Sequence, residues 1–317
     1  MKALLLAAML ACASFAQAAW PDRPVRIIAP DAPGGGGDII ARVLADEFAR
    51  RFGQSFVVDN RPGAGGRIGV EAVWRSPADG YTLLIGNAGS NGINGALYSN
   101  LPYDLNTFTP ISLVVQGPNV LVVNRAKLPV ATVQELIAAA RAQPGVLNFA
   151  SGGPGSSAHL SMELFKQRAG VDLQHVPFRG APPMVTAVIQ GEPPVAFMNL
   201  SNVMPVIRKG EVTAVAVTSL RRWPELPDVP TVAESGLPGY ETIAWNGLLG
   251  PPGLPREIVD ALHGAIAEIA TGPGLKEKAA ILGNEVVAST PEAFAQRIRD
   301  DVAKWKALVA STGIRLD

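Results

Sequence analysis

Short apolar runs alternate with longer stretches of helical periodicity along this chain. Such alternation is typical of an α/β fold, because helices connect buried strands that read as continuous apolar runs. We therefore expect mostly parallel sheets flanked by helices. The apolar runs predict strands at Val25–Ala29, Phe56–Asp59, Thr82–Gly86, Val120–Val123, Leu147–Ala150, Val195–Met198 and Thr213–Thr218.

Three predicted helices carry start signals. Asp38 precedes a stripe of apolar residues at helical spacing, which predicts it as an N-cap. Thr132 and Glu135 match a capping box. Thr290 followed by Pro291 predicts the start of a C-terminal helix.

The length of 317 residues favours two domains. Two strand-like stretches, residues 111–124 and 244–250, look like connections between them. If the chain crosses at both, its C-terminal helices return to the first domain. We expect domain 1 to comprise residues 19–122 plus 246–317 and domain 2 to comprise residues 123–245.

The first eighteen residues have the pattern of a secretory signal. Lys2 is followed by an apolar run over residues 3–13, which is too short to span a bilayer, and then by small residues at Ala16 and Ala18. We expect cleavage near Ala18 and a soluble protein in the periplasm. As an alternative, Cys12 is a lipoprotein attachment site.

The charges balance, with 27 Lys and Arg against 27 Asp and Glu. Nucleic-acid binding depends on an excess of basic residues, so we expect no nucleic-acid partner. The single Cys lies in the leader, which leaves the mature chain without a thiolate nucleophile or a Cys-ligated metal. Three scattered His residues show no metal-binding spacing, and we expect neither a metal nor a cofactor.

The strongest local pattern is a predicted strand that runs into four glycines, Gly34–Gly37, and then into a helix. Glycines let a ligand approach the backbone, and free N–H groups at a helix start favour an anion such as a carboxylate. Neither a Walker loop nor a dinucleotide fingerprint fits the residues that follow. A purely structural tight turn is the alternative.

Three further loops follow strand-like segments in the same way. Residues 151–157 are rich in Gly and Ser and lead into a helix with His159, and the other two loops are residues 86–90 and 177–180. Ligands of open α/β sheets collect at the carboxyl ends of strands, so we expect the loops to share one site. The serine hydroxyls can donate hydrogen bonds beside the loop amides.

A secreted Ser-His hydrolase is the enzymatic alternative, because Ser156 and Ser157 lie near His159 in the sequence. They are only local neighbours and no G-x-S-x-G elbow surrounds them, so we favour binding over catalysis. Two roles stay open: Arg179 either counters a ligand anion or is solvated, and Trp245 either lines a cleft or packs at a domain crossing.

Nine segments in order and spacing resemble the periplasmic solute receptors of tripartite tricarboxylate transporters, often called Bug-type receptors. The resemblance covers nearly the whole mature chain. The segments are Trp20–Ile28, Gly34–Asp38, Asn60–Gly66, Ala78–Leu84, Leu101–Asp104, Ser151–His159, His175–Gly180, Leu226–Glu234 and Trp245–Gly247.

The resemblance implies a two-domain Venus-flytrap receptor that holds a small carboxylate between its domains and is not an enzyme. Such a receptor delivers its ligand to multi-span membrane permease subunits, and we expect it to be monomeric. A ligand-sensing adaptor for a signalling protein is the alternative. The resemblance places ligand contacts at Pro30, Asp31, Ala32, Pro33, Gly34, Gly35, Gly36, Gly37, Asn87, Ala88, Gly89, Ser90, Ser151, Gly152, Gly153, Gly155, Ser156, Ser157, His159, Phe178, Arg179 and Gly180.

Two positions depart from the family pattern, and one of them is Met198, where many relatives carry an acidic residue. The residue after Pro30 is commonly aromatic in the family, whereas here it is Asp31. A carboxylate there would repel a second ligand carboxylate but could pair with an ammonium group or accept from a hydroxyl. We therefore favour a monocarboxylate, or a ligand with a donor group at that end, over a tricarboxylate. The alternative is that Asp31 points to solvent.

Overall fold

The computed structural model describes residues 20–312, so the predicted signal peptide and Cys12 lie outside the described residues. The strands of this part of the chain join in one ten-stranded sheet. They are β1 (Val25–Ala29), β2 (Phe56–Asn60), β3 (Thr82–Asn87), β4 (Thr109–Val123), β5 (Asn148–Ser151), β6 (Gln174–Pro177), β7 (Val195–Asn199), β8 (Thr213–Val217), β9 (Ile243–Gly250) and β10 (Glu285–Val286).

Helices cover the sheet and connect its strands. A π-helical turn, Gly89–Ile93, precedes α3. Between residues 20 and 312, no helix has both the length and the apolar character that crossing a membrane requires. The helices are α1 (Gly36–Phe52), α2 (Arg67–Trp74), α3 (Asn94–Leu97), α4 (Val133–Ala142), α5 (Ser157–Ala169), α6 (Ala181–Gln190), α7 (Leu200–Arg208), α8 (Arg256–Thr271), α9 (Pro273–Ile281) and α10 (Pro291–Thr312).

The strand order is β2-β1-β3-β9-β4-β7-β5-β6, and β4 is the strand that joins the two halves of the sheet. Residues 109–118 of β4 pair with β9, whereas residues 119–123 pair with β7 and β8. We call β1, β2, β3 and β9 the first half and β5 to β8 the second half. Each half contains a parallel triplet, and all pairings of β4 and β9 are antiparallel, so the sheet is mixed.

All seven predicted strands are confirmed, with one large difference in length. The predicted strand at 120–123 is only the end of the 15-residue β4. Of the other three strands, β9 matches the strand-like stretch at residues 244–250, whereas β6 and β10 were not predicted. β6 lies at the edge of the sheet with Gln174 and Pro177 exposed, so no apolar run marks it.

The N-cap prediction for Asp38 is wrong. Helix α1 begins earlier, at Gly36, and its N-cap is Gly35. The Asp38 carboxylate instead accepts from the Gly34 N–H at 2.9 Å and forms an ion pair with Arg42, also at 2.9 Å. Glycines have no apolar side chains, so the hydrophobic pattern could mark the helix only after its first residues.

The other two cap predictions are confirmed. The Thr132 hydroxyl accepts from the Glu135 N–H at 3.1 Å at the start of α4. The Thr290 hydroxyl accepts from the Ala293 N–H at 3.2 Å at the start of α10. Each bond satisfies a donor that the first helical turn would otherwise leave unpaired.

Helix α10 packs against both halves of the sheet. Near its start, Phe294 meets Trp245 of β9 edge to face, with ring centroids 5.2 Å apart. Near its end, Trp305 and Leu308 join the buried core that contains Phe149 and Phe197 of the second half. The C-terminal helix therefore ties the two halves together on one side.

A buried group of polar side chains lies where β4 passes from the first half to the second. The Asn119 Nδ2 atom lies 2.7 Å from Ser157 Oγ and 2.8 Å from Ser161 Oγ. The Asn119 backbone N–H donates to Thr218 Oγ1 at 2.8 Å, and that hydroxyl donates to the Thr242 carbonyl. We call these five buried residues the crossover cluster.

We predict that Gly247→Ala destabilises the fold. A Cβ at this position in β9 would lie 2.3 Å from Cζ of Phe294, so the buried ring would have to move. Overpacking of this kind costs about 1 to 3 kcal/mol in the free energy of unfolding, which urea denaturation measures.

Gly264→Ala in α8 is the matched control. A Cβ there meets no atom within 4 Å, so this variant should be neutral or more stable by about 0.5 to 1 kcal/mol. Equal losses of stability in the two variants would contradict the packing described for Gly247.

Candidate functional site

A cavity of about 790 Å³ lies where the two halves of the sheet face one another. Loops that follow strands of both halves form its wall. Because glycine has no side chain, such loops expose their backbone N–H groups to a ligand. The glycines of the wall are Gly35, Gly36, Gly37, Gly63, Gly65, Gly66, Gly89, Gly152, Gly153 and Gly180.

Four helices direct their N-termini at this cavity. Helices α1, α5, α6 and α7 follow β1, β5, β6 and β7, and each contributes first-turn residues to the wall. Within the described part of the chain, the N–H groups of Gly37, Ser157 and Ala158 have no hydrogen-bond acceptor. Free amides and helix dipoles together favour a negatively charged ligand group.

Two serine hydroxyls at the start of α5 are also arranged as donors. Ser156 Oγ accepts from the His159 N–H at 3.2 Å, and Ser157 Oγ accepts from Asn119 Nδ2 at 2.7 Å. A hydroxyl whose oxygen already accepts a bond can still donate its hydrogen. Both serines line the cavity, so their hydrogens can complete the shell of donors around an anion.

The two halves touch across the cavity through α1 and α7. The Gly36 N–H donates to Asn202 Oδ1 at 2.8 Å, which caps α1 with a side chain from the other half. A Cβ at Gly36 would lie 2.5 Å from Ser201 Oγ. Only a residue without a side chain fits between α1 and α7 at this distance.

Asp31 lies in the cavity wall over the first turn of α1. Its carboxylate packs against Gly37 beside Asn246 Nδ2, and Asn87 Nδ2 donates to it at 3.3 and 3.4 Å. Burial raises the pKa of Asp31 to about 6, the Asn87 bond opposes this rise, and the charge of Asp38 adds to it. The alternative in which Asp31 points to solvent does not hold, since the side chain faces the cavity.

Asp38 lies close to Asp31 but has a different environment. Burial opposes ionisation of Asp38, yet bonds from Arg42, the Gly34 N–H and Asn60 outweigh it and lower the pKa of this carboxyl. Asn60 Nδ2 also donates to the Asp31 carbonyl at 3.1 Å. Asp38 therefore holds the glycine loop in shape and stays charged.

A stack of two histidines supports the loop at residues 152–156 from behind. The rings of His159 and His175 are 4.0 Å apart, His175 Nε2 lies 2.5 Å from Ser151 Oγ, and the Gly155 N–H donates to His159 Nδ1 at 3.3 Å. Burial lowers the pKa of His159 to about 3 and that of His175 to about 4, with help from nearby positive charge. Both rings are thus neutral at pH 7 and act as hydrogen-bonding supports.

The structure does not assemble the nucleophile and base of a hydrolase at the cavity. Ser156 and Ser157 make the contacts described above, and neither accepts or donates a bond to a histidine ring. Ser151 does contact His175, but it is fully buried and does not reach the cavity wall.

Most predicted contact residues do line the cavity. They are Pro30, Asp31, Ala32, Gly35, Gly36, Gly37, Asn87, Ala88, Gly89, Gly152, Gly153, Ser156, Ser157, Phe178, Arg179 and Gly180. Trp245 both lines the cavity and packs at β9, so its two proposed roles coexist. Arg179 lines the cavity and forms no ion pair with any residue that the structure describes.

Six predicted contact residues lie behind the wall. Pro33 and Gly34 are on the outer, exposed side of the glycine loop. Ser90 is buried and fixes Asn87, whose Oδ1 accepts from the Ser90 N–H at 2.8 Å. The other three are Ser151, Gly155 and His159, which form the support described above.

Sequence reasoning missed other parts of the wall. Residues 62–66 and Tyr98 come from the first half, and Asn199 and Asn202 come from the start of α7. The glycines in the first segment and the predicted strand Phe56–Asp59 before it were visible signals, but this loop was not among the predicted ligand contacts. Among residues 20–312, no group of three or more metal-binding side chains is present.

A two-part α/β sheet with a ligand cavity between its halves is the architecture of the periplasmic binding proteins. The chain belongs to the tripartite tricarboxylate transporter receptor family, whose model matches residues 40–314. It is 36% identical over 299 residues to the protein BugT of Bordetella pertussis, covering 94% of this chain and 91% of BugT. The resemblance found in the sequence is thereby confirmed.

Two solved structures with the same fold carry small dicarboxylic acids. Rpa4515 of R. palustris with adipate is 37% identical, with a TM-score of 0.89 over 93% of this chain and 99% of that one. MatC (Rpa3494) from Rhodopseudomonas palustris with bound malate is 32% identical, with a TM-score of 0.87 over 92% of this chain and all of that one.

We predict that Asp31→Asn stabilises the ligand-free protein at pH 7. The pKa of the Asp31 carboxyl is raised from 3.8 to about 6 in the folded protein, so the ionised carboxyl opposes folding. This cost is fully present above about pH 6 and is lost as the pH falls towards 3.8. The variant should melt about 2 to 4 °C higher at pH 7, and the gain should shrink as the pH falls through 6 to 5.

Asp228→Asn is the control, because Asp228 is exposed and lies outside the cavity. Differential scanning calorimetry on ligand-stripped proteins gives both melting curves. A gain for Asp31→Asn that is the same at pH 5 and pH 7 would contradict a charge effect.

Proposed function

We propose that the protein is an extracytoplasmic receptor that binds a small organic carboxylate in this cavity and delivers it to a membrane permease. The observation that carries the proposal is the convergence of four helix N-termini on a cavity with free amides at Gly37, Ser157 and Ala158. Charge-assisted hydrogen bonds contribute about 1.5 to 3 kcal/mol each, so a few of them support micromolar affinity without catalytic groups. The adipate and malate carried by the two relatives belong to the same chemical class.

The proposal includes two domains that close on the ligand, residues 19–122 plus 246–317 and residues 123–245. Support comes from β4 and β9, which lie at the junction of the two halves. Further support comes from the contacts of Gly36 with Asn202 and Ser201 of α7, which join the two proposed domains beside the cavity. Ligand contacts at the predicted residues of the cavity wall are part of the same proposal.

Secretion to the periplasm with cleavage near Ala18 is also proposed, together with partnership with multi-span permease subunits. Membership of a receptor family supports both. In this proposal the protein acts by binding and release rather than catalysis, and membership of a receptor family supports this role.

We predict that small carboxylates stabilise the protein against heat. A ligand at 100 times its dissociation constant adds about 2.7 kcal/mol to the free energy of unfolding, which shifts Tm by several degrees. Thermal shifts of ligand-stripped protein across linear acids of three to six carbons, aromatic acids and amino acids measure this effect. The uncharged amides of the same acids are the controls, and a flat response to every acid would contradict the proposal.

We predict that Gly36→Ala weakens ligand binding by hindering closure. The added Cβ would meet Ser201 Oγ at 2.5 Å and Ser201 Cβ at 3.1 Å, so α7 would have to move away. We expect a rise in Kd of about tenfold, equivalent to ~1.4 kcal/mol, by isothermal titration calorimetry. Gly264→Ala is the control, and an unchanged Kd in Gly36→Ala would contradict closure at this contact.

A further inference from the structure

The cavity has opposite charge at its two sides. Asp31 and Arg179 are the charged side chains of its wall, and the rest of the wall in the described chain is neutral. Arg179 follows β6, just before the start of α6, in the second half of the sheet. Asp31 follows β1 in the first half and lies over the start of α1. The wall contributed by the first half therefore carries a negative charge, and the wall contributed by the second half carries an exposed positive one.

Asp31 has no cationic partner among the residues that the structure describes. Its neighbours are neutral amides, Asn87 and Asn246. Arg42, the cation beside the neighbouring carboxylate of Asp38, is paired with Asp38 at 2.9 Å. A carboxylate enclosed in a cavity wall is costly without a positive partner, and the open side of Asp31 faces the space for the ligand.

The position of Asp31 also restricts where a ligand carboxylate can lie. Its side chain covers Gly37, so the start of α1 already has an anion beside it. The start of α5 has no such anion in the wall and instead offers the free amides of Ser157 and Ala158. A ligand carboxylate is therefore attracted to the second half and repelled from the Asp31 side.

We infer that Asp31 is the subsite for a protonated amine, and that the preferred ligand is a small zwitterion whose carboxylate lies at the starts of α5 and α6. The inference rests on the proposed function, because it assigns the two ends of a ligand in the same cavity. A hydroxyl group could also donate to Asp31, but only an ammonium group neutralises its charge. The amine therefore makes the stronger contact.

The test compares ligands that differ only at the end that would meet Asp31. The six-carbon set is 6-aminohexanoate, adipate and hexanoate, and the four-carbon set is 4-aminobutyrate, succinate, butyrate and 4-hydroxybutyrate. In each set titration calorimetry gives Kd for the wild type and for Asp31→Asn. In the set that fits the cavity, the amino acid should bind the wild type about 10 to 100 times more tightly than the other members.

Asp31→Asn should change the two ligand classes in opposite directions. Without the charge, the amino acid should bind about tenfold or more weakly, and the dicarboxylate should bind more tightly. A general loss of packing would weaken both classes together, so the crossed pattern identifies a charge subsite. Asp228→Asn, far from the cavity wall, should leave every Kd unchanged.

Two results would overturn the inference, and they separate it from the proposed function. If a dicarboxylate or a hydroxy acid binds the wild type at least as tightly as its amino counterpart, the receptor stands but the amine subsite does not. If no ligand of the four-carbon or six-carbon set binds, and no acid of the thermal-shift panel binds either, the proposed function fails together with the inference.

Discussion

The pairing of β4 with both halves of the sheet is the interaction on which the rest of the structure depends. The first part of this 15-residue strand pairs with β9, and its last part pairs with β7 and β8. Because each half is fixed to the same strand, the carboxyl ends of β1 and β3 face those of β5 and β6 across one cavity. The cavity is lined by loops of both halves, so neither half would form the candidate site alone.

The cavity favours an anion mainly with groups that carry no formal charge. Helix N-termini, glycine amides, two serine hydroxyls and the side-chain amides of Asn87, Asn199, Asn202 and Asn246 are the uncharged polar groups of the wall, and glycine is required for the close approach of Gly36 to α7. A balanced count of charged residues therefore says nothing about the affinity of such a site for a carboxylate. In a wall of this kind a single carboxylate, Asp31, has a large effect on which end of a ligand fits where.

The sequence predicted most of the strands, the family and half of the residues that line the cavity, because these depend on local patterns. Apolar runs marked buried strands, and glycine loops after them marked the wall. Four features were not predictable in the same way, because three of them depend on contacts between distant residues and the fourth, β6, has no apolar run. Asn202 reaches α1 from another half of the sheet, β6 is an exposed edge, and Asp38 binds side chains of α1 and β2 instead of capping. His175 supports Ser151 through a contact across neighbouring strands that no motif recorded.

The crossover cluster gives the junction of the two halves a particular chemical character. Hydroxyl groups both donate and accept, so Ser161, Thr218 and Thr242 can each donate to one member of the cluster and accept from another, whereas Asn119 Oδ1 is buried there without a hydrogen-bond partner among the described residues. Ser157 belongs to this cluster and to the cavity wall at once, and its oxygen accepts from Asn119 at the point where β4 changes halves. A ligand that accepts the Ser157 hydrogen would therefore be linked through Ser157 to Asn119, the residue at which β4 passes from one half of the sheet to the other.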